Sequence, residues 1–182
     1  MKRGAADPKS LSSGDLYGAA VAAQGAASVP VLLDASGDTG YFPEIKLEPG
    51  SSKIAVSYHY FTSKKLKFLY SDAFAAGLTP EVIDTGAGPT GSGISNWVGT
   101  DSALVFGPAP GQLFAVYQDP TLGDLKIAER GTQWTVQPSL RTAGAVGFFA
   151  DAALLDKKLF ASHARIHAKL VAGEPRVDNS LL

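Results

Sequence analysis

Short apolar runs alternate with polar clusters rich in Gly, Pro, Asp and Ser along most of the chain, a pattern of brief strands and tight turns. It is clearest from Gln112 to Arg130. Leu113 to Tyr117 is wholly apolar, Gln118-Asp119-Pro120-Thr121 interrupts it, and Asp124-Leu125-Lys126-Ile127 alternates polar with apolar. This predicts a hairpin. Imperfect copies occupy 53–69 and 158–171: Lys53 to Tyr60 and Lys158 to His163 fill the first slot, Lys65 to Leu69 and Ala168 to Val171 the returning one.

Each hairpin is preceded by a strand that runs into a Gly-rich turn: Val29 to Asp34, Val82 to Asp84, and Ser139 to Thr142. Each turn leads to a further predicted strand, at 44–48, 93–98 and 148–154. The reading is three four-stranded units, approximately 29–70, 79–130 and 134–172, with a leading strand at 15–23, a flexible arm at 1–11 and a tail at 173–182. Spacing supports it. Leu16 and Leu66 are 50 residues apart, as are Asp34 and Asp84, and the next intervals, to Leu125 and Arg141, are 59 and 57. An enlarged loop at Gly99 to Gly111 accounts for the difference. The last interval, Leu125 to Leu170, is 45. Four strands at this period have the scale of a β-propeller blade.

The runs Gly123 to Ala128, Gly131 to Val136 and Gly144 to Gly147 resemble the repeat of a broad set of bacterial propeller-like proteins abundant in myxobacteria. Those repeats combine a Tyr-Asp hairpin, G-D-L-K-Y-A, a Trp-containing strand and a G-D-V-G turn. The resemblance spans most of 12–172. His59 and Gln118 stand beside the hairpin tyrosines, Ala145 replaces the acid of the G-D-V-G turn, and only Trp134 fills the tryptophan slot cleanly. The resemblance implies an all-β fold of four-stranded antiparallel propeller-type blades, and it brings no catalytic residues. Three units are fewer than the roughly four to eight blades of a closed propeller. The expectation is an open arc or part of a larger propeller, whose uncovered flank associates with itself or another chain. A β-sandwich is the alternative fold.

Composition narrows the partners. With 45% hydrophobic and 18% charged residues the chain is globular in character, and its net charge of −1 spreads 16 basic and 17 acidic residues without a basic footprint for nucleic acid. There is no cysteine, which excludes disulfides and thiolate chemistry. Met1 to Pro8 has the charged start of an export signal without the apolar run that should follow, and Ala19 to Ala27 is too short and too weakly apolar to span a bilayer. No membrane insertion is expected. The compartment stays unassigned, export after removal of a signal included.

Candidate chemistry is sparse. Ser36 to Phe42 resembles the Asp-box of sialidase-like propellers, a turn whose Asp caps backbone N–H groups, and it is the basis of a glycosidase-like alternative. His59 and His163 occupy equivalent places in two units and His167 follows four residues later, yet no acidic or cysteine ligand stands close in sequence, so no metal site is assigned. Asp119 and Asp124 flank a hairpin as turn formers, Gly86 to Gly93 lacks the Lys-Ser/Thr of a phosphate loop, and no G-x-S-x-G occurs. No catalytic residue and no cofactor are expected. Exposed aromatic residues near strand ends and turns, Tyr41, Phe42, Tyr58, Tyr60, Trp97, Tyr117 and Trp134, are the better lead. Tyr58, His59, Trp97, Tyr117, Asp119 and Trp134 form the candidate ligand set. The resulting reading is a non-enzymatic binding or assembly module, with a lectin-like carbohydrate-binding propeller as the alternative.

Overall fold

A computed structural model describes residues 14–88, 92–171 and 174–181, the last stretch and residues 167–171 through the backbone alone. The N-terminal arm expected at 1–11 lies outside the described residues. Among the described residues thirteen strands form four antiparallel sheets. β1 (Leu16–Gly18) pairs with β2 (Val31–Asp34). β3 (Tyr41–Leu47), β4 (Ile54–Tyr60), β5 (Lys65–Ser71) and β6 (Glu81–Asp84) make a four-stranded meander. A second meander contains β7 (Ser102–Phe106), β8 (Leu113–Asp119), β9 (Asp124–Arg130) and β10 (Trp134–Val136). The fourth sheet is β11 (Ala145–Leu155), β12 (Lys158–Val171) and β13 (Glu174–Leu181). The protein is therefore all-β. No helix among the described residues is long and apolar enough to cross a membrane.

The repeat is visible in the pairing. Leu16 lies opposite Asp34, Leu66 opposite Asp84 and Leu125 opposite Arg141, the landmarks that the spacing singled out. All three leucines are buried. Each packs close to the glycine that enters the next sheet or lies beside it in chain: a Cβ on Gly40 would meet the Leu16 backbone, one on Gly99 the Leu66 side chain, and one on Gly147 the Asp124 carbonyl. These glycines have φ of 83°, 76° and 88°, so both conformation and space demand the missing side chain.

Several boundaries differ from the sequence reading. The strand at 31–34 belongs with β1 and the strand at 81–84 closes the preceding meander, so each sheet is shifted one strand from the expected units. The extra residues of the second unit lie before Gly99: Asp84 to Gly99 is 15 positions, whereas Asp34 to Gly40 is 6. The expected strand at 93–98 is a loop tied by the single bridge Ala87 to Ser95, and β7 occupies part of the stretch read as an enlarged loop. Ala168 to Val171 continues β12, and the expected tail pairs with it as β13. Turn residues 156–157, both with positive φ, let β11 and β12 run longer than their counterparts.

Three apolar layers lie between successive sheets. Leu16, Leu33, Val56, Tyr58 and Leu69 join the first sheet to the second. Leu66, Phe68, Ile83, Leu104, Leu113 and Tyr117 belong to the next layer, and among the described residues Val116, Leu125 and Val146 are the fully buried members of the third. The central strands β4 and β8 are covered on both faces, which explains why their sequences are nearly continuous apolar runs.

Candidate binding surfaces

The first two joints between sheets share the same polar device. Asp34 Oδ2, at the end of β2, accepts hydrogen bonds from Tyr58 Oη at 2.7 Å and Lys67 Nζ at 2.8 Å, both from the next sheet. Asp84 Oδ2, at the end of β6, accepts from Tyr117 Oη at 2.7 Å and Lys126 Nζ at 2.6 Å in the same way. The second carboxylate oxygen of each Asp caps the backbone N–H two residues on, Ser36 or Gly86. Tyr and Lys are direct cross-strand partners in both sheets, which delivers them to the acid as a pair. Burial alone would raise the Asp34 pKa, but hydrogen bonds from Lys67, Ser36 and Tyr58 outweigh it and hold the carboxyl at about 2. Burial, then the adjoining carboxylate, pushes both tyrosine hydroxyls upward, so they remain donors.

This device removes two residues from the exposed aromatic set. Tyr58 and Tyr117 are 0% exposed, because a buried carboxylate needs their hydroxyls. Asp119 is equally buried: its Oδ1 accepts from Thr121 N and Leu122 N and thereby shapes the hairpin turn. Trp134 is half-buried and meets Phe68 edge-on at 5.1 Å, a packing role between sheets.

His59 and Trp97 do come together. Their rings stack at 5.5 Å, and Phe61 meets the Trp97 ring edge-on at 4.6 Å and lies 5.8 Å from Tyr41. Phe42, Phe61 and Tyr41 are exposed, so with half-buried Trp97 they form an aromatic patch over buried His59. The elements that build it are the start of β3, the 3-10 turn Phe61–Ser63 after β4, and the nine-residue insertion before Gly99 that carries Trp97. The insertion is anchored at its base: Asn96 N donates to Gly86 O, Asn96 Nδ2 to Asp119 Oδ2, and Trp97 N to Thr121 Oγ1. The carbonyl of Val98 can only accept, so the His59 Nδ1 at 2.8 Å carries a proton and Nε2 is left as a buried acceptor without a partner among the described residues. Burial lowers the His59 pKa, against the hydrogen bond to Val98, and the ring is neutral near pH 7. Asp38 of the Asp-box-like turn rims the patch. Its Oδ1 accepts from Gly14 N and from Tyr41 Oη, the N–H-capping role that the motif suggests.

The remaining histidines are separated from this cluster. Counting four residues from Gly40, Gly99 and Gly147 reaches Glu44, Ala103 and Asp151, which pair with Ser57, Val116 and Ser162. The residue after each of these is Tyr58, Tyr117 or His163. His163 therefore corresponds to Tyr58, and the sequence equivalence of His59 with His163 is off by one because the register slips at the strand entrances. The side chain of His167 lies outside the described residues. No group of three or more His, Asp or Glu among the described residues stands close enough to hold a metal ion.

The two outer sheets present a different kind of surface. In β1 and β2, Leu16 and Leu33 face the core, and the cross-strand partners Tyr17 and Leu32 point away from it with 56% and 39% exposure. In β11 and β12, Ala152 and Leu159 face inward, while Leu155 and Phe160 are 63% and 53% exposed on the opposite face. Phe149, with φ of 51°, is also exposed there. Both end faces of the stack thus leave apolar side chains uncovered among the described residues, at the β11 and β12 end interspersed with Asp151, Lys158 and Ser162.

A cleft of about 380 Å³ between Glu48–Ser51 and Phe106–Pro110 offers little chemistry. Its carboxylate, Glu48, is already engaged by Ser51 Oγ and Gly111 N.

Searches for similar proteins found no match. No protein-family model, no curated protein and no solved structure resembles the chain. The functional reading rests on the geometry.

Proposed function

We propose that the chain is a non-enzymatic assembly module of propeller type, which associates with further copies of itself through the end faces of its stack of sheets. The observation that carries this is the outward exposure of Tyr17 and Leu32 at one end and of Leu155 and Phe160 at the other. The central strands of the interior sheets bury both faces, so an apolar patch left uncovered at the end of the stack is matched to another sheet. Repetition of the Asp–Tyr–Lys device at two successive joints supports a radial, blade-like arrangement, since one rule of attachment serves each added sheet. Sedimentation equilibrium tests the proposal. The wild type is expected to show a concentration-dependent mass above 18.9 kDa, and Phe160→Ser or Leu32→Ser to shift it toward the monomer. A wild-type monomer across the accessible range overturns it.

The aromatic patch favours a second reading, carbohydrate binding. Flat rings of Phe61 and Trp97 beside the Asp38 carboxylate and Thr62 hydroxyl combine a stacking surface with hydrogen-bonding groups. A glycan array with wild type and the Trp97→Ala and Phe61→Ala variants distinguishes it: a glycan signal lost in both variants supports this reading, and no signal removes it.

A further inference from the structure

The third joint breaks the rule of the first two. Where Asp34 and Asp84 stand, opposite Leu16 and Leu66, the third position opposite Leu125 is Arg141. Where Tyr58 and Tyr117 supply their hydroxyls, the third unit has His163, which is 4% exposed. The internal anion is gone, and a cation and an imidazole take the places of acid and phenol.

The substitution leaves space. A cleft of about 380 Å³ lies at this joint, lined by Leu125, Leu140, Arg141, Ala161 and His163. Its walls are apolar apart from the two nitrogen-bearing side chains, which is the composition of a small-ligand site with a few convergent polar groups. His163 Nδ1 lies between Gly147 N at 3.3 Å, which can only donate, and the Ala164 carbonyl at 3.2 Å, which can only accept. Among the described residues no carboxylate pairs with Arg141. Asp124, the chain neighbour of Leu125, accepts from Ser139 Oγ at 3.0 Å.

We propose that this cleft binds a small organic carboxylate, whose anionic group pairs with Arg141 and supplies the negative charge that Asp34 and Asp84 supply at the other joints, and whose apolar body lies on Leu125, Leu140 and Ala161. Arg141 is suited to it, since a guanidinium offers paired N–H donors that match a carboxylate. The geometry of the repeat supplies the selectivity: an uncharged ligand of the same shape leaves Arg141 without its anion. This site is separate from the end faces and from the aromatic patch.

Benzoate and benzyl alcohol, similar in size and different in charge, are the probes, with amide NMR shifts at Leu125 and Gly147 as the readout. Benzoate is expected to shift these signals saturably and benzyl alcohol to leave them unmoved. Arg141→Ala is expected to weaken benzoate by about tenfold or more, the loss of a charge-assisted pair, and Arg141→Lys by less. Because Arg141 is exposed, both variants should keep the wild-type melting temperature. Absence of a benzoate response at tens of millimolar concentration, equal response to benzyl alcohol, or unchanged affinity in Arg141→Ala each overturns the proposal.

Discussion

At the scale of single residues, the decisive groups are Asp34 and Asp84, buried acids that each serve two sheets. Removing one partner of a buried ion pair leaves the other charge without compensation, at a cost of about 3–5 kcal/mol. Asp34→Ala should therefore destabilise the fold by that amount through Lys67, read by urea denaturation. The carboxyl sits at about 2 in the fold against an ordinary 3.8, so its stabilisation is complete above that ordinary value and is lost as pH falls from there toward 2. The acid-dependent part amounts to about 2 kcal/mol. In Asp34→Asn the stability profile should be flatter by that amount between pH 4 and 2. The device was within reach of the sequence: Tyr58 and Lys67 are nine apart, and so are Tyr117 and Lys126, each pair following a strand-end Asp. Reading those tyrosines as exposed failed because exposure depends on which sheet covers a strand end, a non-local fact.

At the scale of elements, meander and period were legible, because alternation and turn residues act locally. The phase of the units was not. Leu16 to Gly18 matches the second strand of the hairpin by motif, yet its partner β2 could be assigned to either neighbouring sheet from sequence alone. The insertion before Gly99 was misplaced for a related reason: β7 is bounded by the Gly- and Pro-rich 107–111, which reads as loop on both sides. Gly86 is the hinge of that insertion, with φ of 68° and a Cβ position in collision with the Asn96 carbonyl. Gly86→Ala should displace the loop and Trp97 with it, visible as loss of the indole's fluorescence environment at a cost above about 1 kcal/mol. Phe42 poses the opposite case. It holds φ of 50° although its side chain is more than half exposed, a strained conformation for a bulky residue. Phe42→Asn, which tolerates that region, should raise stability by a few tenths of a kcal/mol or more in thermal melts while thinning the aromatic patch.

At the scale of the whole molecule, sheets added by one rule make neighbouring interfaces the units of stability. Among the described residues the third joint has three fully buried core residues against ten in the second, and a cleft where the others have an ion pair. Time therefore separates the parts of this chain as well as space. Amide hydrogens of β11 and β12 should exchange through openings that leave β4, β5, β8 and β9 protected, so the stack frays from one side long before it melts. An anion seated beside Arg141 would slow that fraying, which makes exchange in β11 a clock for occupancy: the joint that departs from the repeat is where the chain's stability is open to adjustment from solution.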